Sequence, residues 1–188
     1  FGAVVCALAL GALVGFPGMD TILNRVPLFG GIFAGATLLL AIGLADDFLD
    51  LSPAIKLLAQ VFAAMLAASG GLALRVISLG PGLMITLGWM GFPLALFWIV
   101  AVTNAFNFID GLDGLAPSIG IVGFAAIAIS AATLARSDVL LISMIMIGAL
   151  LGFLRYNFAP ARIYLGDGGS LLIGYLLATR SLEGATSS

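Results

Sequence analysis

Residues 92–116 read FPLALFWIVAVTNAFNFIDGLDGLA. The first half is a run suited to hydrocarbon. The second half carries Asn104, Asn107, Asp110 and Asp113. Polar side chains at a membrane boundary are costly unless they are used. Steps of three keep Asn104, Asn107 and Asp110 on one side of a helix. Gly111 and Gly114 then let the backbone turn tightly or approach a ligand. The stretch reads as a transmembrane helix that opens into a polar functional loop; the plain alternative is a capped helix end with a polar turn.

Composition extends this reading. The 188 residues are 62% apolar and 9% charged, where a soluble domain carries about a quarter charged residues. The fold class expected is an all-α polytopic membrane protein, in contact with a lipid bilayer. A net charge of −2 without a basic tract excludes nucleic acid as a partner. Cys6 is the single cysteine, so no internal disulfide forms, and the absence of His argues against zinc or a His base. Phe1 opens inside an apolar run without a charged n-region, and SLEGATSS closes soon after another. The expectation is one transmembrane domain over 1–188 that is a piece of a longer protein, truncated at both ends.

Seven apolar segments lie near 1–16, 29–45, 54–69, 93–109, 118–135, 139–154 and 169–180. Helices are the default, because an open strand edge cannot face hydrocarbon. Residues 74–87, LRVISLGPGLMITL, break the pattern with two short runs around Gly80-Pro81-Gly82, a hairpin or an irregular loop outside the membrane. Ser52-Pro53 reads as a helix start. Trp89 and Trp98 read as interface anchors.

The spans serve as a counter. An even number of helices separates DDFLD (46–50) from DGLDG (110–114), and that from GDGGS (166–170). Asp46, Asp47, Asp50, Asp110, Asp113 and Asp167 therefore share one membrane face. Lys56, Arg155 and Arg162 fall on that face and do not balance them, which points to a bound divalent metal; all-oxygen ligands favour Mg²⁺ or Mn²⁺.

Each motif has a chemical reading. Asp46 and Asp47 end an apolar span, where a pair of carboxylates can ligate a metal or hold one member as a base. Lys56 lies in the first turn of the next helix, sharing a face with Gln60, and can reach a phosphate. Its plain alternative is a snorkelling lysine. Asp167 sits in a Gly-rich turn that opens a helix, and the free N–H groups there suit a phosphate or metal-phosphate. Asn157 and Tyr164 flank it as an amide and a ring able to read and stack a base, and Arg155 and Arg162 offer phosphate contacts.

DDFLD, NAFNFIDGLDGLA and NFAPARIYLGDGGSLLIG resemble the signature loops of the polyprenyl-phosphate N-acetylhexosamine-1-phosphate transferases, in order and spacing over nearly the whole chain. The resemblance implies that a polyprenyl phosphate attacks the β-phosphate of a UDP-N-acetyl sugar, giving a polyprenyl-diphosphate sugar and UMP, with Mg²⁺ required, at the cytoplasmic face. It makes Asp167 the metal ligand, Asp46 and Asp47 the pair that orients or deprotonates the lipid phosphate, and Lys56 a phosphate-side lysine. Asn107, Asp110 and Asp113, with Asn104 beside them, fall in the nucleotide-sugar loop, and Asn157 and Tyr164 at uracil-contacting positions. A homodimer is compatible with it. The family's Pro-Arg-x-Gly-Gly-like stretch and late His-rich loop are absent, as truncation would leave the chain. Asp50 stands where the muramoyl-pentapeptide branch has Lys, which favours GlcNAc-1-phosphate transfer feeding O-antigen, teichoic acid or arabinogalactan synthesis.

Other readings fit less well. A membrane prenyltransferase also uses Asp-rich loops and Mg²⁺, but GDGGS and DGLDGLA are not its motifs. A CDP-alcohol phosphotransferase needs an Asp-Gly-x-x-Ala-Arg run, which residues 110–114 do not begin. A divalent-cation transporter needs carboxylates near the bilayer midplane, not at helix ends.

Overall fold

The computed structural model describes residues 2–15, 19–78 and 84–185. Its helices are α1 (Gly2–Val14), α2 (Met19–Asn24), α3 (Val26–Leu49), α4 (Pro53–Ser69), α5 (Gly91–Ile109), α6 (Leu115–Thr133), α7 (Ser137–Asn157) and α8 (Gly166–Ala185). The described residues of all seven apolar segments lie in helices, apart from short overhangs at their ends, and helices satisfy their own backbone polar groups. Among the described residues, four are long and apolar enough to cross a membrane: Val26–Leu49, Gly88–Ile109 (α5 with the 3₁₀ turn before it), Leu115–Thr133 and Ser137–Asn157. The apolar run Val5–Val14 of α1 and the whole of α4 are shorter. Helix α8 has 20 residues but carries Asp167, Arg180 and Glu183. Large side chains on α5 and α6, among them Phe97, Phe108, Val122 and Ile129, point outward and exposed. Such an apolar surface suits lipid better than water.

A 3₁₀ turn, Gly88–Met90, leads into α5, and a pair of three-residue strands completes the regular structure described. Here β1 (Val76–Ser78) runs antiparallel to β2 (Met84–Thr86), with Ile77 opposite Ile85. The connecting residues 79–83, where the sequence suggests a turn, lie outside the described residues.

The chain divides into two compact units. One comprises Phe1–Val26 and Ile109–Leu165, the other Pro27–Phe108 and Gly166–Ser188. In the first, α6 and α7 pack on each other and α1 and α2 against α7. The α6–α7 turn passes through Ala135 at φ 53, and the Arg136 N–H closes it by donating to the Ala131 carbonyl at 2.8 Å. Buried Asp138, in the first turn of α7, draws in two cations, Arg25 at 3.3 Å and Arg136 at 3.6 Å.

The second unit holds α4, α8, the strand pair and nearly all of α3 and α5. Its core is built on small and branched residues: Ile32, Ala36 and Leu39 of α3, Ala63, Ala64 and Ala67 of α4, Ala95 and Ile99 of α5, Leu171 and Tyr175 of α8. Small residues let membrane helices approach until their backbones touch. One such approach is at Gly43, where a Cβ would overlap the backbone of Gly168 and the carbonyl carbon of Asp167. Tyr175 spans the helix gap and donates its hydroxyl to the Ala63 carbonyl at 3.2 Å. Near the far end of α8, buried Arg180 pairs with Glu183 at 2.5 Å and lies 5.2 Å from the Phe29 ring centroid. Trp98 donates to Ser181 at 3.0 Å, a helix-to-helix contact in addition to its expected anchoring role.

Candidate functional site

In the second unit the close approach of α3 and α8 sets up a charged cluster. Asp46 and Asp47 lie three and four residues beyond Gly43, and Asp167 immediately precedes Gly168. Adjacent helix residues point about 100° apart, so the two aspartates do different work. Asp46 turns to α4: its Oδ1 accepts the Leu51 N–H at 2.7 Å and its Oδ2 accepts the Lys56 ammonium at 2.9 Å. Asp47 turns to α8, where its Oδ1 accepts the Asp167 N–H at 3.2 Å. A carboxylate at this helix start meets the positive end of the helix dipole. Gly166 makes room for it. It holds φ 66, and a Cβ there would lie 2.9 Å from Asp47 Oδ2.

Lys56 Nζ also donates to Asp167 Oδ2, at 2.8 Å. One ammonium thus bridges carboxylates of two helices, Asp46 of α3 and Asp167 of α8. The side chains of Lys56, Asp46 and Asp167 are 23%, 10% and 29% exposed, so the cluster is partly sheltered yet open to a ligand. The turn that delivers Lys56 runs through Asp50 in the left-handed region at φ 51, a conformation Asp tolerates better than most residues. Ser52 takes the N-cap position with Pro53 behind it, as expected, although its hydroxyl makes no capping hydrogen bond.

Beside this cluster is a row of amides. Asn104 and the buried Gln60 exchange amide hydrogen bonds, and Asn107 donates to Ser170 at 3.0 Å. Gln60 and Ser170 are additions that the structure makes to the site. The signal for Gln60 was its i, i+4 spacing from Lys56; for Ser170 it was only its place three residues after Asp167.

The remaining candidates lie in the first unit: Arg155 and Asn157 in the last turn of α7, the others on the loops 110–114 and 158–165. Asn157 is buried and both ends of its amide are engaged: Oδ1 accepts the Gly114 N–H at 3.0 Å and Nδ2 donates to the Ile163 carbonyl at 2.9 Å. Asp113 accepts the Ala161 N–H at 2.9 Å. These bonds lace the two loops together around a small cavity of 80 Å³ lined by Asp110, Asp113, Asn157 and the exposed Tyr164. Arg155 and Arg162 line a separate, larger cavity of 440 Å³ with Tyr156, Phe158 and Pro160.

The structure therefore brings Asp46, Asp47, Lys56 and Asp167 together in one unit, with Asn104 and Asn107 in the same unit. It brings Asp110, Asp113, Asn157 and Tyr164 together in the other. Among the described residues, no group of three or more His, Cys, Asp or Glu forms a ready metal cage. The donor set nonetheless suits Mg²⁺ in kind, since Asp46 and Asp167 each direct an oxygen at one cationic centre. Mg²⁺ is commonly held by one or two carboxylates plus substrate phosphates.

The chain is similar in sequence to known proteins. The model of a family described as glycosyl transferase family 4 matches residues 29–185. A protein of Bacillus subtilis (strain 168), named probable undecaprenyl-phosphate N-acetylglucosaminyl 1-phosphate transferase, is 42% identical over 159 residues, covering 84% of this chain and 44% of that protein. The decaprenyl-phosphate N-acetylglucosaminephosphotransferase of Mycolicibacterium smegmatis is 38% identical, covering 79% of this chain and 39% of that protein. A phospho-N-acetylmuramoyl-pentapeptide-transferase of Streptococcus suis is 38% identical, covering 82% and 51%. The chain spans about half the length of the curated relatives it matches.

Proposed function

We propose, for a chain that belongs to glycosyl transferase family 4, that it transfers a phospho-N-acetylhexosamine from a UDP-sugar to a polyprenyl phosphate. A phosphate oxygen of the lipid attacks the β-phosphorus, a new P–O bond forms, and the bond to the bridging oxygen breaks with that oxygen leaving on UMP. The observation that carries this reading is the bridge from Asp46 through Lys56 to Asp167. Two anions must meet in this reaction, and positioned cationic and metal-binding groups are what overcome their repulsion.

The roles proposed for the residues are those the resemblance implies, adjusted to their surroundings. Asp46 and Asp47 orient the lipid phosphate or accept its proton, and Lys56 neutralises phosphate charge. Asp167, with Asp46, would hold Mg²⁺ or, in its place, Mn²⁺. When bound, that ion supplies Lewis-acid stabilisation of the charge on the leaving phosphate. Asn104 and Asn107 present amides to the donor. Asp110 and Asp113 shape the nucleotide-sugar loop, Asn157 holds that loop against residues 158–165, and Tyr164 stacks on uracil. Arg155 and Arg162 bind phosphate.

GlcNAc-1-phosphate is the favoured group. Asp50 supports this, as do the relatives named for N-acetylglucosamine transfer; a muramoyl-pentapeptide donor is the alternative. The chain is a multi-pass membrane segment, and we place its charged cluster on the cytoplasmic face with all seven apolar helices crossing. A homodimer is the assembly to test by mass in detergent.

The reading is tested with UDP-GlcNAc labelled in its β-phosphate, given to the whole protein with undecaprenyl phosphate. Label that moves into the lipid phase supports phospho-sugar transfer. Sugar that moves while the label stays on the nucleotide overturns it.

A further inference from the structure

We infer that Lys56 and a divalent cation compete for the carboxylate of Asp167, so that the cation's arrival releases the lysine toward an incoming phosphate. This rests on the metal reading above and adds an order of events to it.

The geometry sets up the competition. Lys56 Nζ sits 2.8 Å from Asp167 Oδ2 and 2.9 Å from Asp46 Oδ2, the oxygens a cation would use. An ammonium and a divalent ion on one carboxylate oxygen repel strongly at such range. Each therefore weakens the other's hold. Asp46 does not depend on the lysine for its place, because the Leu51 N–H fixes its other oxygen. Lys56 is the member free to move: its ammonium rides on a flexible four-carbon stem, and its side chain is 23% exposed. In this arrangement the lysine keeps two carboxylates from repelling each other until the ion replaces it. It then becomes available for phosphate, which couples ion binding to lipid-phosphate binding.

The test is Mn²⁺ binding by the whole protein in detergent, with neither substrate present, read from the electron paramagnetic resonance signal of the free ion. Lys56→Met keeps the stem and removes the charge. It should bind Mn²⁺ about tenfold more tightly than wild type, the size of a typical coupling between two sites. Equal or weaker binding overturns the inference while leaving the metal reading intact. No Mn²⁺ binding by either protein overturns both.

A second measurement needs no variant. Lys56 is the only lysine in the 188 residues, so an amine-reactive reagent followed by mass spectrometry of the peptide that contains it reports its freedom. Labelling of wild type should rise when Mn²⁺ is added. Labelling that stays constant through Mn²⁺ saturation overturns the inference.

Discussion

Gly43 of α3 lies against Gly168 of α8 with no space for a methyl group between them. This contact sets the distance between the Asp46–Asp47 pair and Asp167, because the acids flank it on both helices. A feature of packing, the absence of two side chains, thereby determines whether one lysine can bridge two carboxylates.

Gly43→Ala should push the helices apart. Overpacking of this kind costs about 1–3 kcal/mol, so the variant should unfold at a lower temperature in detergent. Its UMP release should fall by more than its affinity for UDP-sugar. Wild-type melting and turnover together would show that the contact is not needed.

Asp167→Asn keeps the shape of the side chain and removes its charge. Transfer should drop by about 10² or more, while the protein still inserts and folds. Near wild-type turnover at saturating Mg²⁺ would remove Asp167 from the account.

Asn157→Ala cuts the hydrogen bonds to Gly114 and Ile163. Leaving the buried Gly114 N–H without a partner costs about 1–3 kcal/mol. The loops that carry Asp113 and Tyr164 should loosen, and KM for UDP-sugar should rise by about tenfold with a smaller change in kcat. An unchanged KM would count against this bracing role.

Asp138→Asn tests the first unit away from the proposed chemistry. Asp138 is buried between Arg25 and Arg136, but Arg25 is 42% exposed, so solvent screens part of the interaction. The expected loss is about 1–2 kcal/mol of stability, with KM values unchanged. A shifted KM at wild-type stability would contradict the assignment of this cluster to folding alone.

Much of the fold was legible because apolar runs in a membrane chain have few alternatives to helix. The motifs were legible because Asp46, Asp47, Asp110, Asp113 and Asp167 interrupt those runs. What was hidden depends on tertiary approach. Gln60 and Asn104 are 44 positions apart, and Asn107 and Ser170 are 63; no local spacing links them. By sequence Asn157 suits a base-reading amide; its engagement with two backbone groups emerges only once the loops are folded. The six-residue α2 is too short to show a periodic signal. Arg180 and Glu183 do stand at i, i+3, a spacing that favours pairing, yet nothing in the sequence says that the pair is buried. The close approaches at Gly43 and Gly166 were equally invisible in a chain with 25 glycines.

The most direct test of the central claim is UMP release by the whole protein in detergent, supplied with undecaprenyl phosphate and Mg²⁺ and, in parallel, UDP-GlcNAc or UDP-MurNAc-pentapeptide. The account predicts UMP with UDP-GlcNAc and none with the pentapeptide donor. UMP with the pentapeptide donor alone would keep the chemistry and reverse the choice of sugar. No UMP with either donor, from a folded protein that binds Mg²⁺, would contradict the account.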